Sequence, residues 1–346
     1  MKTTKLDKKY RKLLLKVHDF TDDEYIYDLL DQMLEEASFL KFVRRTYDWT
    51  LDEHNALIKL LEPRKNENGF YMDKYGQKVS YNGIRSLRRE RVDMEFNALQ
   101  KIEREKCVNS FKYFRNYYCF IVTKTGLARP EPRRYQISLE DELLSLEDLV
   151  VLYPRQSGKT VTVGNYLLWR AMFHSTAINI GIVANKPSTA REVLDKMKKV
   201  FMEIPIWLMN GISVWNKSSI EFEGGTRIMT DAPSSDSFRG YTCNIIYTDE
   251  AGYIKTKDWD AFIDAVIPTM NSLIFKQVIN TSTANGMNHF YHLVNGARNI
   301  NLDVVEEVEF KPNDVISIGD GNEFTIEDIY TQFHTINRHP TIVEVA

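Results

Sequence analysis

Three clusters in this 346-residue chain have the residue types and spacing for phosphate chemistry. Gly158-Lys159-Thr160 closes the stretch LVVLYPRQSGKT and matches the end of the G-x-x-x-x-G-K-S/T loop. A helix N-terminus there offers unpaired amides and a partial positive charge to phosphate. Gly158 lets the backbone come close, Lys159 reaches the β- and γ-phosphates, and the Thr160 hydroxyl sits on Mg²⁺. Asp249-Glu250 follows a short apolar run. Asp249 suits the Mg²⁺-holding acid, and Glu250 suits the orientation of an attacking water. Thr281-Ser282-Thr283 supplies small hydroxyls able to sense a γ-phosphate. Arg155, inside the loop, can stabilise charge on the equatorial oxygens, with Arg239 a further candidate for γ-phosphate or neighbour-subunit contact. The ordinary alternatives are a strand-to-helix turn at the loop, a solvated acid pair and a surface arginine. Tyr153 stands where the loop's first glycine belongs. His289 and His292 lie three apart without an evident third ligand, which favours packing over metal binding.

The elements that must carry these residues alternate. Leu149–Tyr153 reads as a buried strand ended by Pro154, followed by a helix over 161–173. Ala177–Ala184 is a second strand, Ser188–Met202 a helix capped by Ser188, and Ser219–Thr230 a hairpin about Gly224-Gly225. Asn244–Tyr247 and Leu273–Asn280 are further strands. Helices follow over Trp259–Met270 and from Asn288. Such alternation means a doubly wound α/β sheet with ligands at the carboxyl ends of its strands, where every cluster above falls. A triphosphate is therefore expected across the tips of neighbouring strands, between Lys159 and Glu250.

Upstream, residues 1–61 carry helical spacing, with Thr21 and Glu24 as a capping pair. Asn66–Gly83 reads as a loop or hairpin, and Ile84–Val108 as a helix whose arginines are laced with its own acids. Phe111–Val122 is aromatic core. The prolines of RPEPRRYQ mark a boundary, dividing the chain into a helical lobe (1–128), a core (129–300) and a tail (301–346) expected to pack on the lobe.

Composition excludes several classes. Hydrophobic content of 43% and charged content of 27% fit a globular protein, and no run is long enough to cross a bilayer. The basic N-terminus lacks the apolar core of a secretory signal. Three cysteines without CxxC spacing argue against a disulfide framework or a structural zinc and fit a reducing cytoplasm. With a net charge of -3, nucleic-acid binding requires a local basic surface.

As an ordered set the motifs resemble the ATPase domain of tailed-bacteriophage large terminases over Arg134–Leu293. RQSGKT resembles that family's deviant Walker A, and Tyr135-Gln136 its adenine-recognising Q motif. IIYTDEAG is similar to its Walker B with the catalytic carboxylate, and NTSTANGMNHFY to its coupling motif. VWNKSSIEFEGGTRI is similar to the intervening hairpin. The resemblance implies a P-loop NTPase (RecA/ASCE-like) parallel-sheet core with a mainly helical N-terminal lobe. It implies ATP and Mg²⁺ as cofactors, with Gln136, Pro154, Arg155, Gln156, Ser157, Gly158, Lys159, Thr160 and Thr283 around the nucleotide. Thr160 and Asp249 then hold the metal, and Glu250, Arg155 and Lys159 carry the catalysis. The implied role is pumping double-stranded viral DNA into a procapsid, with the portal protein and small terminase subunit as partners. It further implies a homo-oligomeric ring, a pentamer, in the cytoplasm of the infected host and no membrane. The family's nuclease domain does not fit the tail, so no nuclease activity is expected: either the chain is an excised ATPase domain or the nuclease is separate. A superfamily-2-type helicase needs a second RecA-like domain that the residues after Gly286 are too few to build. A non-motor module predicts nucleotide binding without phosphate release.

Overall fold

The computed structural model describes residues 4–296 apart from 64, 124 and 125, and beyond them the strands at 298–299, 315–318, 322–325 and 341–344. The helical segment opens with α1 (Lys5–Asp19), α2 (Asp23–Glu35), α3 (Ala37–Arg45) and α4 (Leu51–Leu61). Capping boxes start α1 (Thr4 with Asp7) and α4 (Thr50 with Glu53), satisfying amides that would otherwise lack partners. The cap of α2 falls one residue later than expected. Asp22, not Thr21, accepts the amides of Glu24 and Tyr25.

The helix expected from Ile84 is replaced by a hairpin, β1 (Ser80–Tyr81) with β2 (Ile84–Arg88). Asn82 and Gly83 both take positive φ, the turn chemistry of a tight hairpin. Helix begins only at α5 (Ala98–Asn109), capped by Asn97. Two arginines of this run pair with acids outside it: Arg88 with Glu223 and Arg89 with Asp73. Then follow α6 (Phe111–Tyr118), the hairpin β3 (Ile121–Thr123) with β4 (Gly126–Ala128), and α7 (Arg134–Ser145).

The core alternates as expected: β5 (Leu149–Leu152), α8 (Lys159–Phe173), β6 (Asn179–Ala184) and α9 (Pro187–Met202). Pro187 opens α9, with Lys186 as its cap, so Ser188 lies inside the first turn. Strands β7 (Ile212–Trp215), β8 (Ser219–Phe222) and β9 (Arg227–Asp231) precede β10 (Ile245–Asp249). A 3-10 turn over Ala251–Tyr253, α10 (Thr256–Met270), β11 (Gln277–Ser282) and α11 (His289–Gly296) complete it. Last come β12 (Arg298–Asn299), the hairpin β13 (Val315–Ile318) with β14 (Asn322–Thr325), and β15 (Thr341–Glu344).

The main sheet runs β12-β15-β5-β11-β10-β6-β9-β8-β7, parallel except for the antiparallel pairs β7/β8 and β8/β9. The loop strand β5 and the acid strand β10 are not neighbours, because β11 lies between them. This is an α/β core with a mostly parallel sheet, as the alternation implies. Strand β15 of the tail pairs with β5 of the core sheet; the tail residues other than β13, β14 and β15 lie outside the described residues, so the expected packing of the tail on the lobe falls largely there.

Alternation along the strands splits the interior into two layers. Leu149, Val151, Ile180, Ile182, Ile245 and Ile279 belong to a cluster that continues through α8 and α9 into the helical lobe as far as Tyr10. Val150, Val183 and Ile246 pack with Trp259, Phe262 and Phe290 of α10 and α11. The lobe meets the core through packed side chains: Trp169 donates to the Cys107 carbonyl at 2.7 Å, and Phe111 sits edge-on to Tyr166.

Candidate nucleotide site

The site lies where β5, β10 and β11 end. After β5 the chain leaves extended geometry at Pro154, and Gln156 (φ 63°) and Gly158 (φ 84°) both take left-handed backbone. That reversal turns the chain into α8 at Lys159, whose first amides have no side-chain cap. Pro154, Arg155 and Gln156 are exposed, while Ser157 and Lys159 are buried.

Tyr153 explains why the loop does without its first glycine. Its ring is buried edge-on against Tyr135, and its hydroxyl donates to the Tyr135 carbonyl at 2.8 Å. Tyr135 and Gln136 in turn donate to the Ser157 carbonyl at 3.0 and 2.9 Å. Gln136 also caps its own helix by accepting from the Arg133 amide at 2.9 Å. Tyr135 and Gln136 therefore brace the loop from behind. The left-handed φ of 84° favours glycine at 158, and a Cβ there would also stand 2.3 Å from Gln136 Nε2 and displace the end of that side chain from the loop.

On the opposite wall, Lys159 Nζ donates to Glu250 Oε1 at 2.8 Å. Thr160 Oγ1 lies 3.2 Å from both Asp249 carboxylate oxygens. Asp249 also accepts from Tyr247 Oη (2.9 Å) and Thr281 Oγ1 (3.1 Å). Burial holds the Tyr247 phenol well above its ordinary pKa, so that hydroxyl remains a donor. Asp249 thus sits in a shell of fixed hydroxyls with Thr160 opposite. This all-oxygen donor set fits a hard divalent cation such as Mg²⁺. Among the described residues, no group of three His, Cys, Asp or Glu side chains could hold a metal.

Glu250 itself has left-handed backbone (φ 54°), which turns the chain out of β10 and aims the carboxylate across the strand tips. Its Oε2 accepts from the Thr283 amide and hydroxyl at 3.2 and 3.3 Å. The end of β11 and the segment after it grip the turn after Glu250: Ser282 accepts from the Gly252 amide, and Asn285 and Asn288 both donate to the Gly252 carbonyl. His289 stacks on Trp259 and places Nε2 2.9 Å from the Ala251 carbonyl oxygen, a packing role.

Of the expected site residues, the structure brings together Gln136, Ser157, Gly158, Lys159, Thr160, Asp249, Glu250 and Thr283. Arg155 joins them through Tyr253, to whose hydroxyl it donates at 3.4 Å. Arg239 does not: it is exposed and paired with Asp236. Sequence reasoning missed Tyr253, whose hydroxyl also accepts from Thr283 at 3.1 Å; these two donors lower its pKa. It also missed Tyr247. Its place two residues before Asp249, on the same side of the strand, was the available signal.

Solved structures that this chain resembles include a Thermus phage P74-26 large terminase ATPase domain, 19% identical over 48% of this chain and 70% of that one, with a TM-score of 0.37. The bacteriophage HK97 large terminase is 20% identical over 55% and 40%, with a TM-score of 0.43. The large terminase of a thermophilic bacteriophage, in complex with ADP, is 14% identical over 43% and 38%, with a TM-score of 0.34. This chain therefore spans well under half the length of the last two proteins. The family model for the terminase large subunit, T4likevirus-type, N-terminal, matches residues 150–332, more than half of the chain, from β5 past α11, and the chain belongs to that family.

Proposed function

We propose that this chain is the ATPase motor of a viral DNA-packaging terminase, hydrolysing ATP to translocate double-stranded DNA into a procapsid. The observation that carries the reading is the 2.8 Å pair between Lys159 and Glu250 across the tips of β5 and β10. A cation and a carboxylate held at that separation, with the Thr160–Asp249 pair alongside, are the parts that phosphoryl transfer to water requires.

Each residue has a definite task. Lys159 exchanges Glu250 for phosphate oxygens, and the amides at the start of α8 hold the same group. Glu250, released from Lys159 but still held by Thr283, orients the attacking water and takes up its proton. Arg155 offsets charge that develops on the transferred phosphoryl group. Thr160 and Asp249 would hold Mg²⁺, which when bound would offset phosphate charge. Gln136, beside the loop, reads adenine with the donor and acceptor capacity its amide keeps beyond the bonds to Ser157 and Arg133. Thr283 joins Glu250 to the coupling segment, so loss of the γ-phosphate alters what that segment is bonded to.

In this reading the working protein acts at the portal of the procapsid in the host cytoplasm. It is assembled as a homo-oligomeric ring, a pentamer, with the small terminase subunit, and Arg239 is available to a neighbouring subunit. The test is phosphate release from ATP. Turnover is expected from the wild type and only at a small residual rate from the Lys159→Ala, Glu250→Gln and Arg155→Ala variants; nucleotide binding without any phosphate release by the wild type would overturn the reading.

A further inference from the structure

We propose that the outward face of α1 is a docking surface for the phosphate backbone of duplex DNA. This rests on the packaging reading and adds the place at which the lobe holds its cargo. Lys5, Lys9, Lys12 and Lys16 recur at helical spacing along one line, with Lys8 beside it, and all five are exposed. The opposite face buries Tyr10, Leu14 and Val17 in the lobe core, so the lysine line is the pole pointing away from the protein.

Acids do not neutralise this line. Asp7 is buried and committed to Arg45, while Asp48 and Glu53 are taken by Arg11 on the flank. Among the described residues only Glu36 reaches the stripe, 3.7 Å from Lys9, while Lys5, Lys8, Lys12 and Lys16 have no acidic partner. A chain of net charge -3 thus carries one continuous cationic ridge, the local basic surface that polyanion binding demands.

The chemistry of the ridge selects the partner. A membrane-surface helix needs its apolar face outward, and here that face is in the core. Protein interfaces are depleted in lysine. Lysines in register along a rod match phosphates, which they contact as point charges without reading sequence. That indifference to sequence suits a cargo of arbitrary sequence.

The experiment measures binding of a short labelled duplex between about 50 and 200 mM salt. The full chain is compared with a Lys8→Gln, Lys12→Gln, Lys16→Gln variant and its Lys→Arg counterpart. ATP turnover without DNA is followed in parallel. The slope of log affinity against log salt is expected to become shallower by about 0.9 per lysine removed, about 2.7 in all, and to be retained by arginine. The single Lys12→Gln variant should show about a third of that change. An unchanged slope and affinity in the glutamine variants, or no duplex binding by a wild type that hydrolyses ATP, would overturn the proposal and leave the ATPase reading intact. A wild type that binds duplex but releases no phosphate would do the reverse.

Discussion

Lys159 and Glu250 are bonded to one another at 2.8 Å although they lie on α8 and at the end of β10. Without a phosphate the lysine and the carboxylate neutralise each other; with one, each has a different task. The two substitutions should therefore fail differently. Lys159→Ala removes a point charge that both ground and transition states use, so nucleotide affinity and turnover fall together. Glu250→Gln keeps the shape and the bond to Lys159 but loses the base. ATP should still bind, and turnover should drop at least about 100-fold. Titration with a fluorescent nucleotide beside a phosphate-release assay separates the two patterns.

Tyr253 connects Arg155 to Thr283, with hydroxyl distances of 3.4 and 3.1 Å. It is a positioning residue: it directs the loop arginine toward the side of the site where Glu250 and Thr283 lie. Tyr253→Phe deletes only the hydroxyl. It should lower kcat about tenfold with little change in KM, because a misplaced Arg155 forfeits about 1.4 kcal/mol of transition-state stabilisation. In an Arg155→Ala background the same change should cost nothing further. Additive losses in that double-mutant cycle would show that the two residues act separately.

Tyr153 occupies the standard glycine position as a buried brace, so restoring the common pattern should do harm. Tyr153→Gly removes a ring that is 1% exposed, its edge contact with Tyr135 and its bond to the Tyr135 carbonyl. Truncation of a large core aromatic costs about 3–5 kcal/mol. The measurement is a urea unfolding midpoint, which should fall sharply; Tyr153→Phe should lose only the hydroxyl's share, about 1 kcal/mol.

The parts of this molecule legible in the sequence are those fixed by short-range rules. Apolar runs of strand length, the turn at Gly158 and the acids ending β10 each follow from a few consecutive residues, and the structure places them together. The misreading of Ile84–Arg88 as helix has a long-range cause. Leu87 is fully buried and Arg88 is bonded to Glu223, more than a hundred residues away, so tertiary partners decide the conformation. The local clue was the Asn82-Gly83 pair, a turn signal that helical-looking spacing outweighed. Tyr253 was invisible for a different reason: its meeting with Arg155 depends on a 3-10 turn whose direction is set by the left-handed backbone of Glu250. Strand order was equally hidden, since nothing in the local pattern says that β11 separates β5 from β10.

Acid should destabilise the fold through its buried histidines. His54 is fully buried, stacked on Tyr117 and edge-on to Tyr118, with Arg129 3.1 Å from Nδ1. Burial holds its pKa well below 6.5, and the Arg129 and Lys106 charges act in the same direction. His289 is lowered by burial as well. A depressed folded pKa means that the unfolded chain binds the proton first. Stability is therefore complete above about pH 6.5 and is lost as the pH falls from there toward the folded value, by up to about 1.4 kcal/mol per pH unit for each proton. Urea midpoints measured from neutral pH downward should begin to fall near that point. His54→Gln, which cannot titrate, should start from a lower midpoint because the stacking is lost, yet decline less steeply. An equal slope in wild type and variant would mean that His54 does not carry the effect.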